Sequence, residues 1–377
     1  MRRTPRLLAG IVLVLLALGL VMLASASSVK GDASKNDPGY FLKRQAVWLA
    51  VAVVASVVAA KVDYHRWQKF WIPLALLSVF LLTMVMVPGL RLKIGGAYRW
   101  FRMGPFSFQP SELAKIAVVV MLSAWMTRCG VRSLRFRDGV LKPMAMLGVF
   151  LALVIKEPDY GTTILLATVG VCVLFVGGAR GWQLALPCLI GVACIAYLIS
   201  LDPVRLGRIV AFIEPERNPK VAYHLAQSKM SFMLGGLWGV GLGNSLQKHF
   251  YLPEAHTDFI LAIIGEELGL VATLGVVLLF AGYLFCGMRI ALKAPDCFGR
   301  LTAFGLTMMI GLQAFINGGV VTGVLPTKGL PLPFISYGGS SLIMSMVATG
   351  ILMNIARHTA SGDDAHTRAV KDRTQAL

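Results

Sequence analysis

The sequence predicts an all-α polytopic membrane protein of about ten transmembrane helices with one large extracytoplasmic loop. Of its 377 residues, 56% are hydrophobic and only 14% are charged, which leaves little polar surface for a water-soluble fold. Apolar runs of about 20 residues, the length that a helix needs to cross a bilayer, recur along the chain. The stretch 202–258 interrupts this pattern because it contains no strong span.

The predicted spans cover most of the chain. They lie at residues 7–26, 45–61, 70–88, 111–127, 142–156, 161–178, 183–201, 259–287, 301–325 and 339–356. Three arginines precede the first span as in a signal peptide, but further spans follow it, so we predict that it is the first helix. We therefore predict one transmembrane domain over residues 1–358, with 202–258 as its large loop, and a short disordered tail over 359–377.

The formal net charge of +18 is best explained by the orientation of the chain in a membrane. The basic residues are dispersed among apolar runs and form no recognisable nucleic-acid module, so no nucleic-acid partner is expected. Cytoplasmic loops carry the excess of Lys and Arg, and the connections at 61–69, 128–142 and 289–300 are clearly basic. This pattern predicts that both termini are cytoplasmic and that 202–258 faces outward. The six cysteines form no CxxC pair and predict neither a disulfide framework nor a zinc site.

Asp258 is the first candidate for chemistry, because it lies where the large loop enters the next span. Burial raises the pKa of such a carboxylate and nearby cations lower it, so Asp258 can serve as a base. Asp is also favoured as a helix N-cap, and the local sequence leaves both roles open. Glu266 and Glu267, deeper in the same span, are predicted to be packing or relay groups. His256 has no matching cluster of ligands, so no metal site is predicted there.

A second set of candidates consists of charged groups elsewhere in the chain. Glu112 and Lys115 lie on one face of a helix, and a structural ion pair is favoured there over direct catalysis. Basic residues on the outer side could meet a phosphate, since arginine forks match phosphate oxygens and lysine supplies a point charge. For each of them a solvated loop residue or a lipid-headgroup contact is an alternative. They are Arg99, Arg102, Arg205, Arg208, Lys220, Lys229, Lys248 and Lys328.

Several short motifs occur in a fixed order along nearly the whole chain. They are Ser25-Ala26-Ser27-Ser28, Gln109-Pro110-Ser111-Glu112-Leu113-Ala114-Lys115, Glu157-Pro158-Asp159-Tyr160-Gly161-Thr162, Gly241 to Lys248, Leu252 to Ile260 and Leu325 to Ser341. With these motifs the chain resembles the SEDS family (shape, elongation, division and sporulation), which includes FtsW, RodA and SpoVE. Pro253-Glu254-Ala255-His256 and Pro326-Thr327-Lys328-Gly329 are most similar to the FtsW/SpoVE branch, with RodA as a further relative.

This resemblance implies the SEDS fold and a peptidoglycan glycosyltransferase that polymerises lipid II into glycan strands during septal cell-wall synthesis. Asp258 would take the proton from the acceptor GlcNAc 4-hydroxyl as it attacks the donor MurNAc anomeric carbon, and undecaprenyl diphosphate would leave with inversion. Outer-face cations or a divalent cation, Mg²⁺ or Mn²⁺, would stabilise the departing diphosphate, and no other cofactor is expected. The candidate residues for binding the diphosphate or the sugars are Arg99, Arg205, Arg208, Gln227, Lys248, Lys328 and Ser336.

The resemblance also implies partners and a location. The substrates would be lipid II and undecaprenyl diphosphate-linked glycan, and the protein partners a class B penicillin-binding protein (FtsI-like) and other divisome proteins. The site of action would be the bacterial inner membrane, at the division septum. Two alternatives remain open, namely a lipid II flippase and a non-catalytic division scaffold. Polymerisation is favoured because an outer-rim carboxylate beside a cation-containing loop suits chemistry at the interface.

Overall fold

The structure, a computed structural model, describes residues 3–89, 91–94, 97–103, 106–249, 252, 254–327 and 329–375. Helices dominate this part of the chain. In chain order they are α1 (Arg3–Lys35), α2 (Tyr40–Lys61), α3 (Tyr64–Lys69), α4 (Trp71–Met84), α5 (Pro110–Cys129), α6 (Lys142–Lys156), α7 (Tyr160–Val176), α8 (Gly181–Ser200), α9 (Pro203–Ile213), α10 (Pro219–Gly235), α11 (Ile260–Lys293), α12 (Cys297–Val321) and α13 (Gly339–Gln375). Strands β1 (Arg91–Ile94), β2 (Ala97–Met103) and β3 (Phe106–Phe108) form one small antiparallel sheet.

The long helices match the predicted spans. Within the described residues, eight helical segments are long and apolar enough to cross a membrane, and they fall on α1, α2, α5, α6, α8, α11, α12 and α13. The shorter apolar helices α4 and α7 correspond to two further predicted spans. The prediction of an all-α polytopic membrane protein of about ten helices is therefore confirmed.

Two segments differ from the predicted organisation. The connection at 88–110 contains the three-stranded sheet, which the sequence analysis did not anticipate. This segment is rich in aromatic residues that favour strands, and it carries four basic residues that would be costly inside a bilayer. Helix α13 also continues to Gln375, through the segment for which we predicted a disordered tail. Extending an existing helix needs no new nucleation, so a polar segment can continue it.

Helix α5 forms the centre of the bundle. It packs against α4, α7 and α12, and its side chains from Ala114 to Ala124 are buried. Helices α2 and α13 pack against each other, and Gly350 allows their close approach: a Cβ there would come 2.4 Å from the Ser56 carbonyl oxygen. Small residues permit such contact between membrane helices. Helix α8 lies at the edge and contacts α7 and α9.

Helix α11 is interrupted at Gly269, which has φ +78° and ψ −175°. The large loop fills this break with backbone hydrogen bonds. Val240 and Gly241 donate to the carbonyls of Glu266 and Glu267 at 2.9 and 3.0 Å. In return, Leu270 and Val271 donate to the carbonyls of residues 236 and 237 at 3.0 and 3.3 Å.

The glycine-rich stretch that begins at Gly235 makes this docking sterically feasible. A Cβ at Gly235 would come 2.0 Å from the carbonyl oxygen of Gly265, and one at Gly239 would come 2.2 Å from that of Glu267. The glycines therefore provide close packing of the loop on α11. Helix α10, which begins at Pro219 and lies within the large loop, packs against α11.

Candidate active site

Asp258 lies immediately before α11, but it does not cap that helix. The residue at the N-cap position is Phe259, and the structure shows no side-chain capping hydrogen bond there. The capping role left open by the sequence is therefore wrong. The Asp258 side chain is partly buried, and its carboxylate accepts no hydrogen bond from the described residues. A carboxylate with free lone pairs can accept a proton from a ligand.

Two segments that are distant in sequence surround Asp258. Asn317 on α12 donates its Nδ2 group to the Asp258 carbonyl oxygen at 2.8 Å and to the Leu330 carbonyl oxygen at 2.7 Å. Gly329 lies against the carboxylate itself, since a Cβ at position 329 would come 2.7 Å from Oδ2. The loop between α12 and α13 thus forms one wall of the site.

Ser336 joins the same two loops. Its Oγ donates to the Thr257 carbonyl oxygen at 2.6 Å and accepts from the Leu332 amide at 2.8 Å. The Tyr337 amide donates to the His256 carbonyl oxygen at 3.1 Å. Ser336 is 5% exposed, so the predicted substrate contact would have to compete with these internal bonds. In this structure it holds the backbone beside Asp258.

The surroundings of Asp258 set its protonation. Burial raises the pKa of its carboxyl to about 7, and the negative charges of Glu254 and Asp159 act in the same direction. The guanidinium groups of Arg99 and Arg208 oppose this rise. Although part of the side chain reaches solvent, loss of hydration is the largest cause of the shift. A carboxyl group with this pKa is suited to general-base catalysis near neutral pH.

His256 is less suited to take or give a proton. Burial lowers the pKa of its imidazole to about 4, with a further contribution from the charge of Lys30. The ring lies between Phe41 and Tyr337, at centroid distances of 5.0 and 5.9 Å. It is therefore neutral at physiological pH and packs as an aromatic group.

Arg99, on β2, organises the turn that precedes α7. Its Nε donates to the Glu157 carbonyl oxygen at 3.0 Å, and another guanidinium nitrogen donates to the Pro158 carbonyl oxygen. A third nitrogen lies 3.8 Å from Oδ1 of Asp159. Asp159 caps α7 by accepting from the Thr162 amide at 3.1 Å. The guanidinium group of Arg99 thus makes its hydrogen bonds within this turn, while its positive charge lowers the pKa of Asp258.

Glu157, in the same turn, is 1% exposed, and neither carboxyl oxygen has a hydrogen-bond partner among the described residues. Burial raises the pKa of this carboxyl to about 8, so it is mainly protonated at neutral pH. A neutral Glu157 leaves Asp159 and Asp258 as the acidic charges near Arg99. The net charge around Arg99 is therefore less negative than the sequence suggests, which favours the binding of an anion.

Helix α9 supplies two more cations. Arg205 stacks over the Tyr160 ring at 3.9 Å and pairs with Asp202 at 2.8 Å. Arg208 is exposed and makes no hydrogen bond or ion pair within the described residues. Burial of part of its side chain, followed by the charges of Arg99 and Arg205, lowers the pKa of the Arg208 guanidinium from its usual value. The three arginines are therefore close enough to form one cationic region beside Asp258.

Glu112 and Lys115 form the buried pair that the sequence predicted. Oε2 of Glu112 lies 2.7 Å from Nζ of Lys115, and both side chains are almost completely buried. Lys115 also donates to Oε1 of Gln313 at 2.7 Å, and Nε2 of Gln313 donates to the Pro331 carbonyl oxygen at 2.8 Å. The pair is thus connected to the loop that forms the wall of the site.

Lys248 lies in a separate polar network. Its Nζ contacts Oε1 of Glu267 at 3.2 Å and Oγ of Ser25 at 3.2 Å, and the side chain is 5% exposed. The neighbouring Glu266 accepts from the Leu246 amide at 2.8 Å and from the hydroxyl of Ser245. These contacts attach the large loop to α1 and α11. They agree with the packing role predicted for the two glutamates.

The remaining predicted binding residues are less informative. Gln227 lies on α10 and is partly exposed, and its side chain makes no hydrogen bond within the described residues. Lys328 lies outside the described residues. Gln313 and Asn317 were not among the predicted site residues. Two carboxamides four residues apart within an apolar span were the signal that could have identified them.

Within the described ranges, no group of three or more His, Cys, Asp or Glu side chains is arranged to hold a metal ion. Asp258 and Asp159 are each accompanied by arginines instead. The described donor set therefore does not fit a resident Mg²⁺ or Mn²⁺, and the cationic region is the group available to balance an anionic ligand.

Comparison with known proteins agrees with a helical membrane fold. The family model for the FtsW, RodA and SpoVE cell cycle proteins matches residues 5–361. The chain belongs to this family.

Two relatives illustrate the similarity. The chain is 42% identical over 346 residues to the probable peptidoglycan glycosyltransferase FtsW of Trichlorobacter lovleyi, covering 92% of this chain and 91% of the relative. It is 38% identical over 354 residues to the stage V sporulation protein E of Bacillus subtilis, covering 94% and 97%.

Solved structures show the same fold. A chain from a structure describing how a peptidoglycan synthase complex coordinates polymerization and crosslinking superimposes with a TM-score of 0.75 at 28% identity, covering 93% of this chain and 97% of that one. The rod shape determining protein RodA of Thermus thermophilus superimposes with a TM-score of 0.69 at 27% identity, covering 93% and 95%.

Proposed function

We propose that the protein is a peptidoglycan glycosyltransferase that polymerises lipid II into glycan strands, with Asp258 as its general base. The observation that carries this proposal is the position of Asp258. Its carboxylate has no internal hydrogen bond from the described residues, and burial raises its pKa to about 7 although the charges of Arg99 and Arg208 act against this rise. The names of the relatives, which include probable peptidoglycan glycosyltransferases, support the same reaction class.

In the proposed reaction, Asp258 accepts the proton of the acceptor GlcNAc 4-hydroxyl while that oxygen forms a bond to the anomeric carbon of the donor MurNAc. The bond from this carbon to the diphosphate oxygen breaks, and undecaprenyl diphosphate leaves with its electron pair. Attack opposite the leaving group inverts the anomeric carbon. The proton stays on Asp258 until it passes to water.

The cationic region would stabilise the leaving group. Negative charge develops on the diphosphate as the glycosidic bond breaks, and preorganised cations lower the energy of that state. Arg208 is the best placed of the three, because Arg99 and Arg205 already make internal contacts. Arginine can bind phosphate oxygens in a bidentate manner.

We also propose that both termini are cytoplasmic and that α9, α10 and Asp258 face outward, as the distribution of Lys and Arg predicts. A class B penicillin-binding protein would then supply crosslinking, and the enzyme would act at the division septum of the inner membrane. A structural neighbour from a complex that combines polymerization and crosslinking supports such a partner.

Purified protein supplied with lipid II in detergent tests the function. A polymerase forms glycan strands under these conditions, whereas a flippase has no second leaflet to serve and a scaffold makes no product. The reaction is run with and without a class B penicillin-binding protein, and the strands are resolved on a gel. Asp258→Asn should reduce the rate by about 10²–10⁴-fold, since Asn cannot accept the proton.

The substitution must leave the fold intact for this result to count. Asn is close in shape to Asp, so the melting temperatures should allow a matched comparison. Glycan formation by Asp258→Asn at a near-normal rate would remove Asp258 as the base. Absence of glycan from the wild type with every partner tested would favour the flippase or the scaffold.

A further inference from the structure

Helix α12 presents two buried carboxamides, Gln313 and Asn317, to the loop between α12 and α13. Each is 2% exposed. Asn317 donates to the Leu330 carbonyl oxygen at 2.7 Å, and Gln313 donates to the next carbonyl oxygen, that of Pro331, at 2.8 Å. The two amides therefore hold consecutive peptide groups directly after Gly329.

Asn317 differs from Gln313 because it also contacts the site. The same Nδ2 group donates to the Asp258 carbonyl oxygen at 2.8 Å. One amide group thus connects the backbone of Asp258 to the loop whose Gly329 lies against the Asp258 carboxylate. Loss of these two bonds would loosen the link between the two walls at Asp258 and Leu330, while the bond from Ser336 to the Thr257 carbonyl oxygen would remain.

Resting on the proposed role of Asp258 as the base, we propose that Asn317 is a positioning residue that holds the Asp258 carboxylate in line with the acceptor hydroxyl. It does so by tying the Asp258 backbone to the loop at Gly329 and Leu330. Asn317 would not touch the reacting atoms. A displacement of about 1 Å at a reacting group can reduce a rate by about 10²-fold, so this restraint matters for catalysis.

The hydrogen-bond pattern of Asn317 supports a role beyond packing. Its Oδ1 is buried and has no partner among the described residues, while both acceptors of its Nδ2 group belong to the site. Leaving a buried acceptor unpaired costs free energy. The residue therefore retains a carboxamide at a stability cost, with its donor directed at the two loops.

Two substitutions of Asn317 distinguish the loss of its hydrogen-bond donor from a change in the shape of its side chain. Asn317→Leu keeps the branching at Cγ, adds volume and removes both hydrogen bonds, while Asn317→Ser shortens the side chain and opens space for water. We expect kcat for lipid II polymerisation to fall about 10- to 10²-fold in each. KM should change little, because the arginines that would bind the diphosphate lie on β2 and α9.

The pH dependence supplies a readout that a purely structural role would not move. In Asn317→Ser, added water around Asp258 reduces the loss of hydration that raises its pKa. The acid limb of the kcat profile should therefore shift to lower pH. A general loss of folded protein would scale the profile without moving that limb.

Asn354 provides a matched control at the other end of the bundle. It is 4% exposed, its Nδ2 donates to the Ala60 carbonyl oxygen at 2.9 Å, and its Oδ1 accepts from the Tyr64 amide at 2.9 Å. Asn354→Leu removes a buried carboxamide that has no contact with the site. It should lower the melting temperature while kcat per folded enzyme and the acid limb stay at wild-type values.

The outcomes are distinct. If Asn317→Leu does not fold, Asn317→Ser decides the question at a temperature where it is folded. The proposal is overturned if the folded Asn317 variants keep the wild-type kcat and acid limb, or lose no more than Asn354→Leu at an equal melting temperature. Activity in Asp258→Asn would overturn the proposed base itself. An inactive Asp258→Asn together with normal Asn317 variants would overturn the positioning role alone.

Discussion

The backbone of Gly329 lies against the carboxylate of Asp258, so closely that a methyl group at position 329 would come 2.7 Å from Oδ2. The two residues belong to different loops, one before α11 and the other between α12 and α13. Real Cβ atoms do not approach a neighbour this closely, so any side chain here would displace the carboxylate or the loop. The glycine is required for space beside the proposed base.

Gly329→Ala should therefore impair catalysis more than folding. We expect a drop of about tenfold or more in kcat, because the added methyl group pushes the carboxylate away from its position. Steady-state polymerisation of lipid II measures this. Gly338→Ala is the control in the same loop, since its new Cβ would lie 3.8 Å from the nearest atom. Equal activity in the two variants would contradict the steric argument.

The rate of polymerisation should depend on pH with an acid limb near neutrality. Asp258 must be ionised to act as a base, and burial raises its pKa to about 7. Activity should therefore fall as the pH decreases through about 7 and level off above it. His256 cannot produce this limb, because its pKa is lowered to about 4. A kcat profile that stays flat from pH 5 to 8 would be inconsistent with the assignment of Asp258.

Arg208→Ala should weaken substrate binding and leave the fold intact, since this side chain is exposed and makes no hydrogen bond within the described residues. We expect a higher KM for lipid II, with an acid limb displaced to higher pH, because Arg208 lowers the pKa of Asp258. Arg217→Ala is the control, as Arg217 lies on the same loop and pairs with Glu214. Matching KM values in the two variants would argue against a diphosphate contact at Arg208.

Loss of one member of the Glu112–Lys115 pair should destabilise the protein strongly. Each single substitution, Glu112→Gln or Lys115→Met, leaves a buried charge without its partner, at a cost of about 3–5 kcal/mol. The double variant should regain part of that loss. Melting temperatures in one detergent compare them with Asp37→Asn, which breaks the exposed pair with Lys43 and should change stability much less. Unchanged stability in all variants would show that the pair has no structural role.

The proposed orientation can be read from labelling of intact cells by a thiol reagent that does not cross the membrane. Single cysteines are placed at Glu216 and at Arg135, both of which are exposed, after replacement of the natural cysteines. Glu216→Cys should react, whereas Arg135→Cys should react only after the cells are opened. The opposite pattern would invert the topology and place Asp258 on the cytoplasmic side.

The spans could be predicted from the sequence because a bilayer demands long apolar runs, and this local signal is strong in α1, α8 and α11. The sheet at 91–108 was missed since its strands are short and pair only with each other. The motif that contains Asp258 pointed to the proposed base. Its other possible role, as an N-cap, could be rejected only from the structure, in which Phe259 occupies the N-cap position.

The partners of the polar residues could not be predicted, because they come from distant parts of the chain. Lys248 was a candidate for phosphate binding, yet the structure places its ammonium between Ser25 and Glu267. Asn317 carries no charge, and nothing near it in sequence indicates Asp258 or Leu330 as its acceptors. Such contacts depend on how helices and loops assemble, which a local pattern does not contain.

The break in α11 at Gly269 also affects the order in which the protein can be assembled. Four backbone hydrogen bonds at the break come from residues 236–241, a segment that is synthesised before α11. Lipid offers these peptide groups no substitute partner, so the helix cannot settle in the hydrocarbon with the break exposed. Segment 236–241 must therefore be available beside α11 when that helix inserts into the membrane. In a chain cut or lengthened within 236–241, α12 and α13 would insert before α11 had formed these hydrogen bonds. Such a variant should fail at membrane insertion and folding, before its activity could be measured.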